Sequence, residues 1–417
     1  MNGKIYAIGG NTESGLYPAL VNGEFVGTNE EYDIATDTWT TKTPMPTPRA
    51  FFAIAVYQNK IYCIGGIIGI GQGFYDGTSV LLPMNILSGV NEVYDPATDT
   101  WENKTSMPTP RMNIHANVAG NGLYIMYGFD QVEAPNEVYD PATDTLTTKT
   151  PMPPTGRNYA SAVVDSKIYV IAQDSNHLFI YDVETDSWSQ GTPAPSIVID
   201  GAAVATTGVV APKRIYVIGV QLGNNPLTIN YVYDPESDNW MTGATMSTNR
   251  IDFGAVIVND KLYAIGGYTF DNSPNNGKVT VSAVNEEYTP FGYGTAPPAI
   301  AVVSPENKNY TSSNVSLTFT LNKPAVWMGY SLDGQETVTV NGNTTIAGLP
   351  NGLHNVTVYA KDSFENTGAS EPISFSVEVP FPTALVAATV VAIVATASGF
   401  SAVYYLRKRK NKHPTPP

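Results

Sequence analysis

The chain has 417 residues, enough for more than one domain, and a formal net charge of −15. That balance argues against a nucleic-acid partner, because no basic patch precedes the last stretch, 407–417. One Cys excludes a disulfide framework and a multi-Cys zinc site, while abundant Tyr, Thr, Gly and Pro favour strands and turns.

Met1-Asn-Gly-Lys-Ile-Tyr6 is no export signal: a charged start followed by an apolar run is missing. The first element, Lys4-Ile-Tyr-Ala-Ile-Gly-Gly10, returns as Lys60 to Gly66 and Lys261 to Gly267. Looser copies run over Leu123 to Gly128, Lys167 to Ala172 and Arg214 to Gly219. Apolar alternation ended by Gly-Gly predicts a strand entering a turn. A second unit follows each: Asn29-Glu-Glu-Tyr-Asp-Ile-Ala-Thr-Asp-Thr-Trp39, then Asn91 to Trp101 and Asn136 to Leu146. Shorter forms are Tyr181 to Trp188, Tyr233 to Trp240 and Asn285 to Tyr288. Asp-Pro-Ala-Thr-Asp reads as a turn, and it lacks the dense oxygen ligands that calcium takes. Tyr94 and Trp101 are large enough to fill the space between neighbouring units. Before every strand of the first kind except the first lies another apolar run: Phe51 to Tyr57, Asn113 to Ala119, Tyr159 to Asp165, Ala202 to Thr207 and Asp252 to Val258.

Four short strands per repeat, the Gly-Gly, the Tyr-Asp and the later Trp resemble the kelch-repeat family over Met1 to about Gly294. The resemblance implies a six-bladed kelch-type β-propeller, with the run after each Arg innermost and the Trp strand outermost. The first blade lacks its inner strand, and the last stops at Tyr288, before the Asp turn and Trp strand. From this, the missing strand and an export signal are expected upstream of Met1.

Chemistry in the propeller reads as sparse. Some kelch-fold proteins are copper oxidases, whose centre needs two His, Tyr ligands and a cross-linked Cys. Here Cys63 occupies the slot of Ala7 and Ala264, and reads as a small buried residue. His115 and His177 have no second pair to complete a metal site. No cofactor is expected. Arg is the recurrent polar residue: Arg49, Arg111, Arg157 and Arg250 each open an inner strand, while Ile199-Asp200 breaks the series. Either each Arg pairs with a Glu such as Glu92 or Glu137, or the set forms a face that recognises anions. Loops after the Gly-Gly open on the same end. The longest, Gly66 to Val90, carries Phe74, Tyr75 and Asp76, and reads as a binding loop or a disordered insertion.

After a linker at 295–298, residues 299–380 alternate in short runs: Val315 to Leu321, Ala325 to Leu332, Glu336 to Val340, Leu353 to Ala360 and Ile373 to Val379. Their spacing suggests an immunoglobulin- or fibronectin-like β-sandwich with Trp327 in its core. Glycosylation sequons fall at Asn103, Asn309, Asn314, Asn343 and Asn355. Residues 381–406 are apolar and long enough for a transmembrane helix rather than a buried core helix, and 407–417 form a basic tail. Together these predict a single-pass plasma-membrane protein with the propeller (1–294) and sandwich outside and the tail in the cytoplasm. The expected function is binding or adhesion toward an extracellular protein or glycan. A sugar-active propeller enzyme and a structural cell-envelope component are the alternatives.

Overall fold

The computed structural model describes residues 1, 3–12, 24–74, 81–126, 135–153, 159–172, 175–198, 201–222, 225–270, 279–380, 403–404 and 406–408. The chain divides into two compact units, Met1–Ala296 and Pro297–Pro417.

The first unit is built from antiparallel sheets in chain order. Blade 1 has three strands, Lys4–Ile8, Asn29–Asp33 and Thr38–Thr41. Blade 2 has four: Ala53–Tyr57, Lys60–Ile64, Asn91–Asp95 and Thr100–Lys104. Blade 3 runs His115–Ala119, Gly122–Met126, Asn136–Asp140 and Thr145–Lys149. Blade 4 runs Tyr159–Val164, Lys167–Ala172, Leu178–Asp182 and Ser187–Gly191. Blade 5 runs Ala202–Ala205, Ile215–Leu222, Asn225–Asp234 and Asn239–Thr242. Blade 6 has three, Gly254–Val258, Lys261–Ile265 and Asn285–Tyr288. The inner strands of blades 2 to 6 lie side by side in sequence order. At the seam, the inner strand of blade 6 lies against Lys4–Ile8, the first strand of blade 1.

Alternation explains the packing. Second strands such as Lys60–Ile64 and Gly122–Met126 are buried on both faces, because each blade is sandwiched by two neighbours. Between blades 2 and 3, Ala53, Ala55, Tyr62, Ile64, Leu123, Ile125 and Tyr139 form one apolar layer. Equivalent layers separate the other blades. Ile5, Tyr32, Val258 and Tyr263 fill the seam.

The repeated Asp-x-x-x-Asp turn has two separate functions. Its first Asp closes the turn: Asp95 accepts from the Ala97 amide at 2.9 Å, and Asp140 from Ala142 at 2.8 Å. Its second Asp sits at positive φ, 54° at Asp99 and 48° at Asp238, a conformation Asp tolerates better than most side chains. That Asp then reaches the preceding blade. Asp99 accepts from the Tyr94 hydroxyl at 2.6 Å and from the Thr43 amide at 2.9 Å, while Trp101 Nε1 donates to the Thr43 carbonyl at 2.8 Å. Asp186 and Trp188 hold Thr150 in the same way, and Asp238 and Trp240 hold Thr192. Asp144 holds Thr105 at 2.8 Å, but Leu146 supplies no donor for the carbonyl. The repeated motif is thus an inter-blade latch as well as a turn and a wedge.

The second unit packs two sheets. One contains Ile300–Ser304, Val315–Leu321 and Thr344–Ile346. The other contains Asn309–Tyr310, Ile373–Val377, Gly352–Lys361, Trp327–Leu332 and Val338–Val340, with Thr367–Ala369 pairing Gly352–Lys361. Val315, Leu317, Phe319, Val356, Val358 and Phe375 centre its core. Trp327 is not in that core, which corrects the expectation from sequence. Met328, Tyr330 and Leu332 take the inward positions of their strand, so period-two alternation turns Trp327 outward. There its ring covers Gly329, and Nε1 donates to Thr339 at 3.2 Å.

Among the described residues no helix is long and apolar enough to cross a membrane. The transmembrane assignment of 381–406 is corrected on that finding. Of this stretch only Val403, Tyr404 and Leu406 are described, as exposed helical residues, and the rest lies outside the described residues. A crossing needs about 20 apolar residues in one helix. The single-pass plasma-membrane placement, with its cytoplasmic tail, rested on that helix and is corrected with it.

Candidate interaction surface

The recurrent arginines have two readings in sequence, ion-paired side chains or an anion-binding face. Arg49, Arg111 and Arg250 are each 0% exposed. Arg49 forms an ion pair with Glu92 and donates to the carbonyls of Thr47 at 2.9 Å and Cys63 at 2.7 Å. Arg111 pairs with Glu137 and donates to the Pro135 carbonyl at 2.9 Å. Arg250 meets Glu286 at 2.7 Å and the carbonyls of Ala264, Gly266 and Val284. Burial pulls the Arg111 pKa below its ordinary value, against the pull of Glu137, and pushes the Glu137 carboxyl up. Guanidiniums held this way are struts between the first, second and third strands of one blade. They have no open side to offer an anion. Arg157 lies outside the described residues. Its blade has Phe179 where blades 2, 3 and 6 have Glu, two residues before the blade Tyr.

Cys63 is buried, and burial pushes its thiol up to about 12, leaving it without thiolate character at neutral pH. His115 stacks on Tyr159 at 4.8 Å, and burial pulls its pKa down to about 4. His177 is exposed and bonds Ser175 at 3.0 Å.

What does stand free is the connection after the second strand. In blade 2 it is a β-hairpin, Ile67–Phe74 paired with Leu81–Leu87. A bridge from Ala50 to Ile67 roots this arm in the blade, and Asn85 reaches Met112 of the next. Three of its apolar side chains are exposed, Ile68 at 39%, Met84 at 48% and Ile86 at 46%, while Ile67 at its root is buried. Blade 5 lengthens its central hairpin, and blade 6 carries a shorter arm, Tyr268–Phe270 with Val279–Val281. The three lie on one face, because antiparallel order puts every second-to-third connection at the same end of its blade. Phe74 is the last described residue of the first arm strand. Tyr75 and Asp76 lie outside the described residues. Sequence could place this loop but not its hairpin, because Gly69, Gly71 and Gly73 blur the alternation that marks a strand.

The sequon residues are all exposed. Asn103 sits on the outermost strand of blade 2. In the second unit Asn343 accepts from the Phe319 amide at 2.9 Å, Asn314 from Gly348 at 3.1 Å, and Asn355 meets Ser374. Asn309 Nδ2 donates to Glu378 at 2.9 Å.

Comparison with known proteins agrees with this architecture. The Kelch motif family model matches residues 1–46 and 48–108. Kelch repeat and BTB domain-containing protein 12 of Homo sapiens is 30% identical over 134 residues, 31% of this chain and 20% of that protein. Beta-scruin of Limulus polyphemus is 26% identical over 276 residues, 64% of this chain and 24% of it. Kelch-like protein 26 of Danio rerio is 24% identical over 261 residues, 61% of this chain and 33% of it. The matches therefore span a third or less of each relative. The matched motif covers the first two blades, and the strand order and latches of the blades that follow repeat it, so the first unit resembles the kelch repeats of these relatives.

Proposed function

We propose that the propeller is a protein-binding module whose contact face is the hairpin arm of blade 2. The observation that supports this is the row of exposed apolar side chains Ile68, Met84 and Ile86 on a strand-paired arm rooted in a rigid blade. Apolar anchors on a pre-ordered element lower the entropy cost of binding and favour a protein partner over a glycan. The buried, paired arginines favour binding over a sugar-active enzyme, which would have used them as free forks.

The test is a protein array probed with the labelled chain and with an Ile68→Ser/Met84→Ser/Ile86→Ser variant. Binders lost by the variant support the reading. Binders retained by it, or a glycan array that binds both chains equally, contradict it.

A further inference from the structure

The outer face of the second unit's larger sheet has a chemistry unlike that of the arm. Along Trp327–Leu332, Met328, Tyr330 and Leu332 pack on the core. Along Gly352–Lys361, Val356, Val358 and Ala360 are buried. Alternation therefore puts Trp327, Gly329, Tyr359 and Lys361 on the opposite face. Register sets Lys361 opposite Trp327 and Tyr359 opposite Gly329. Thr367 pairs with Lys361 from one neighbouring strand, and Thr339 with Gly329 from the other. Trp327, Thr337, Tyr359, Lys361 and Thr367 line an open cleft of about 420 Å³. Among the described residues its lining has two aromatic rings, two threonines and one lysine, and no Leu, Ile, Val or Met.

Gly329 gives an independent observation. A Cβ there would come within 2.9 Å of Trp327 Cζ2, 3.0 Å of its Cη2 and 2.7 Å of Thr337 Cγ2. The indole thus lies down along its own strand, over Gly329, where any larger residue would lift it. Its Nε1 donates to the Thr339 hydroxyl at 3.2 Å, which holds the ring's edge. Trp327 is half-buried in this pose, with the sheet beneath it and the cleft beside it. A ring held flat in advance loses little freedom when a ligand stacks on it. Lys361 Nζ meets Glu365 Oε2 at 3.0 Å, but the Glu365 side chain is 77% exposed. Pairs this open to water are weak, so a ligand carboxylate can take the ammonium.

We propose that this cleft binds an acidic sugar, a pyranose ring that bears a carboxylate. The C–H face of the sugar stacks on the indole, whose negative π face suits the positive ends of C–H bonds. Tyr359 flanks the ring, Thr337 and Thr367 meet its hydroxyls, and Lys361 takes the carboxylate. Lys361 decides for an acidic over a neutral sugar. A chain of net charge −15 repels anions in general, so a bound uronate needs a local cation, and Lys361 is placed to supply it. An apolar peptide finds no aliphatic partner in this lining, in contrast to Ile68, Met84 and Ile86 on the arm. The site lies in the second unit and does not rest on the reading of the arm. An open site for one sugar ring holds it at about 1 mM, too weakly to survive the washing of an array.

The probe is methyl β-D-glucuronide, titrated into the full chain carrying 5-fluorotryptophan and followed by fluorine NMR. The chain has 5 Trp, and Trp327→Phe assigns the resonance of Trp327. That resonance alone is expected to shift and saturate, with a Kd of about 1 mM. Methyl β-D-glucoside, which lacks the carboxylate, binds about tenfold more weakly. Lys361→Met brings the glucuronide down to the level of the glucoside and leaves the glucoside unchanged. Lys361→Arg keeps the charge and retains the preference, which separates lost charge from lost fold. Absence of a saturable shift at Trp327, equal binding of the two sugars, or indifference to Lys361→Met overturns the proposal. A shift at Trp39, Trp101, Trp188 or Trp240 in place of Trp327 puts the sugar on the propeller and overturns it too.

Discussion

Replacing Arg49 with Met tests whether the recurrent arginines are struts. The side chain is fully enclosed and makes an ion pair with Glu92 plus two backbone hydrogen bonds. Met approximates its length and removes every donor. Glu92 is then a buried carboxylate whose remaining side-chain partner is Thr47, at 2.7 Å. Removing one member of a buried pair costs about 3–5 kcal/mol. The carbonyls of Thr47 and Cys63 lose a donor, at about 1 kcal/mol each when no water reaches them. We expect a loss of about 4 kcal/mol, since the two effects overlap. Arg49→Met/Glu92→Gln should cost less than the sum of the single changes, because the second change removes the stranded charge. Urea unfolding followed by tryptophan fluorescence in a Trp327→Phe background reads the propeller alone, as Trp39, Trp101, Trp188 and Trp240 all lie in it. A loss under about 1 kcal/mol for Arg49→Met would refute the strut and return the guanidinium to the pool of ligand-binding groups.

Three further outcomes follow from the latches and the second unit. Asp99→Ala removes acceptors for Tyr94 and Thr43 and puts Ala at φ 54°, so the same unfolding assay should show a loss of about 3 kcal/mol. Asp99→Asn keeps an acceptor and tolerates that φ, and should lose less than half as much. Leu146→Trp restores the indole donor that blade 3 lacks, aimed at the Thr105 carbonyl, and should raise stability by about 1 kcal/mol. In the second unit, the Pro350 carbonyl at 2.9 Å and Asp333 at 2.8 Å hold the His354 pKa above its ordinary value. Its contribution to stability is therefore complete below the free imidazole value of about 6.5 and disappears as pH rises through the folded value. An imidazole titration by NMR with a midpoint at or below the free value would contradict this.

The blades were legible because their signals are local: alternation, Gly-Gly and the Asp turn each act within a few residues. The latch was not, because Asp99 and Trp101 bond Thr43 across a sequence separation of more than fifty residues. The pairing of Arg49 with Glu92 was one of two readings in sequence, and only burial separates them. Trp327 was misplaced because composition marks a Trp as core, while the alternation of its own strand turns it outward.

The latch and the strut fail at the same seam. Elsewhere the second Asp of a blade takes a backbone amide from the blade before it. At Asp37 the described partner is Tyr32 of its own blade, at 2.7 Å. Trp39 is 43% exposed, whereas Trp101, Trp188 and Trp240 are half-buried against their neighbours. On the inner side Glu30 is exposed, and no ion pair to it is made among the described residues. The apolar layer of Ile5, Tyr32, Val258 and Tyr263 is thus the main contact across this boundary. Hydrophobic contact without a polar latch is less directional, so among the described contacts this boundary depends on apolar packing more than the latched ones do.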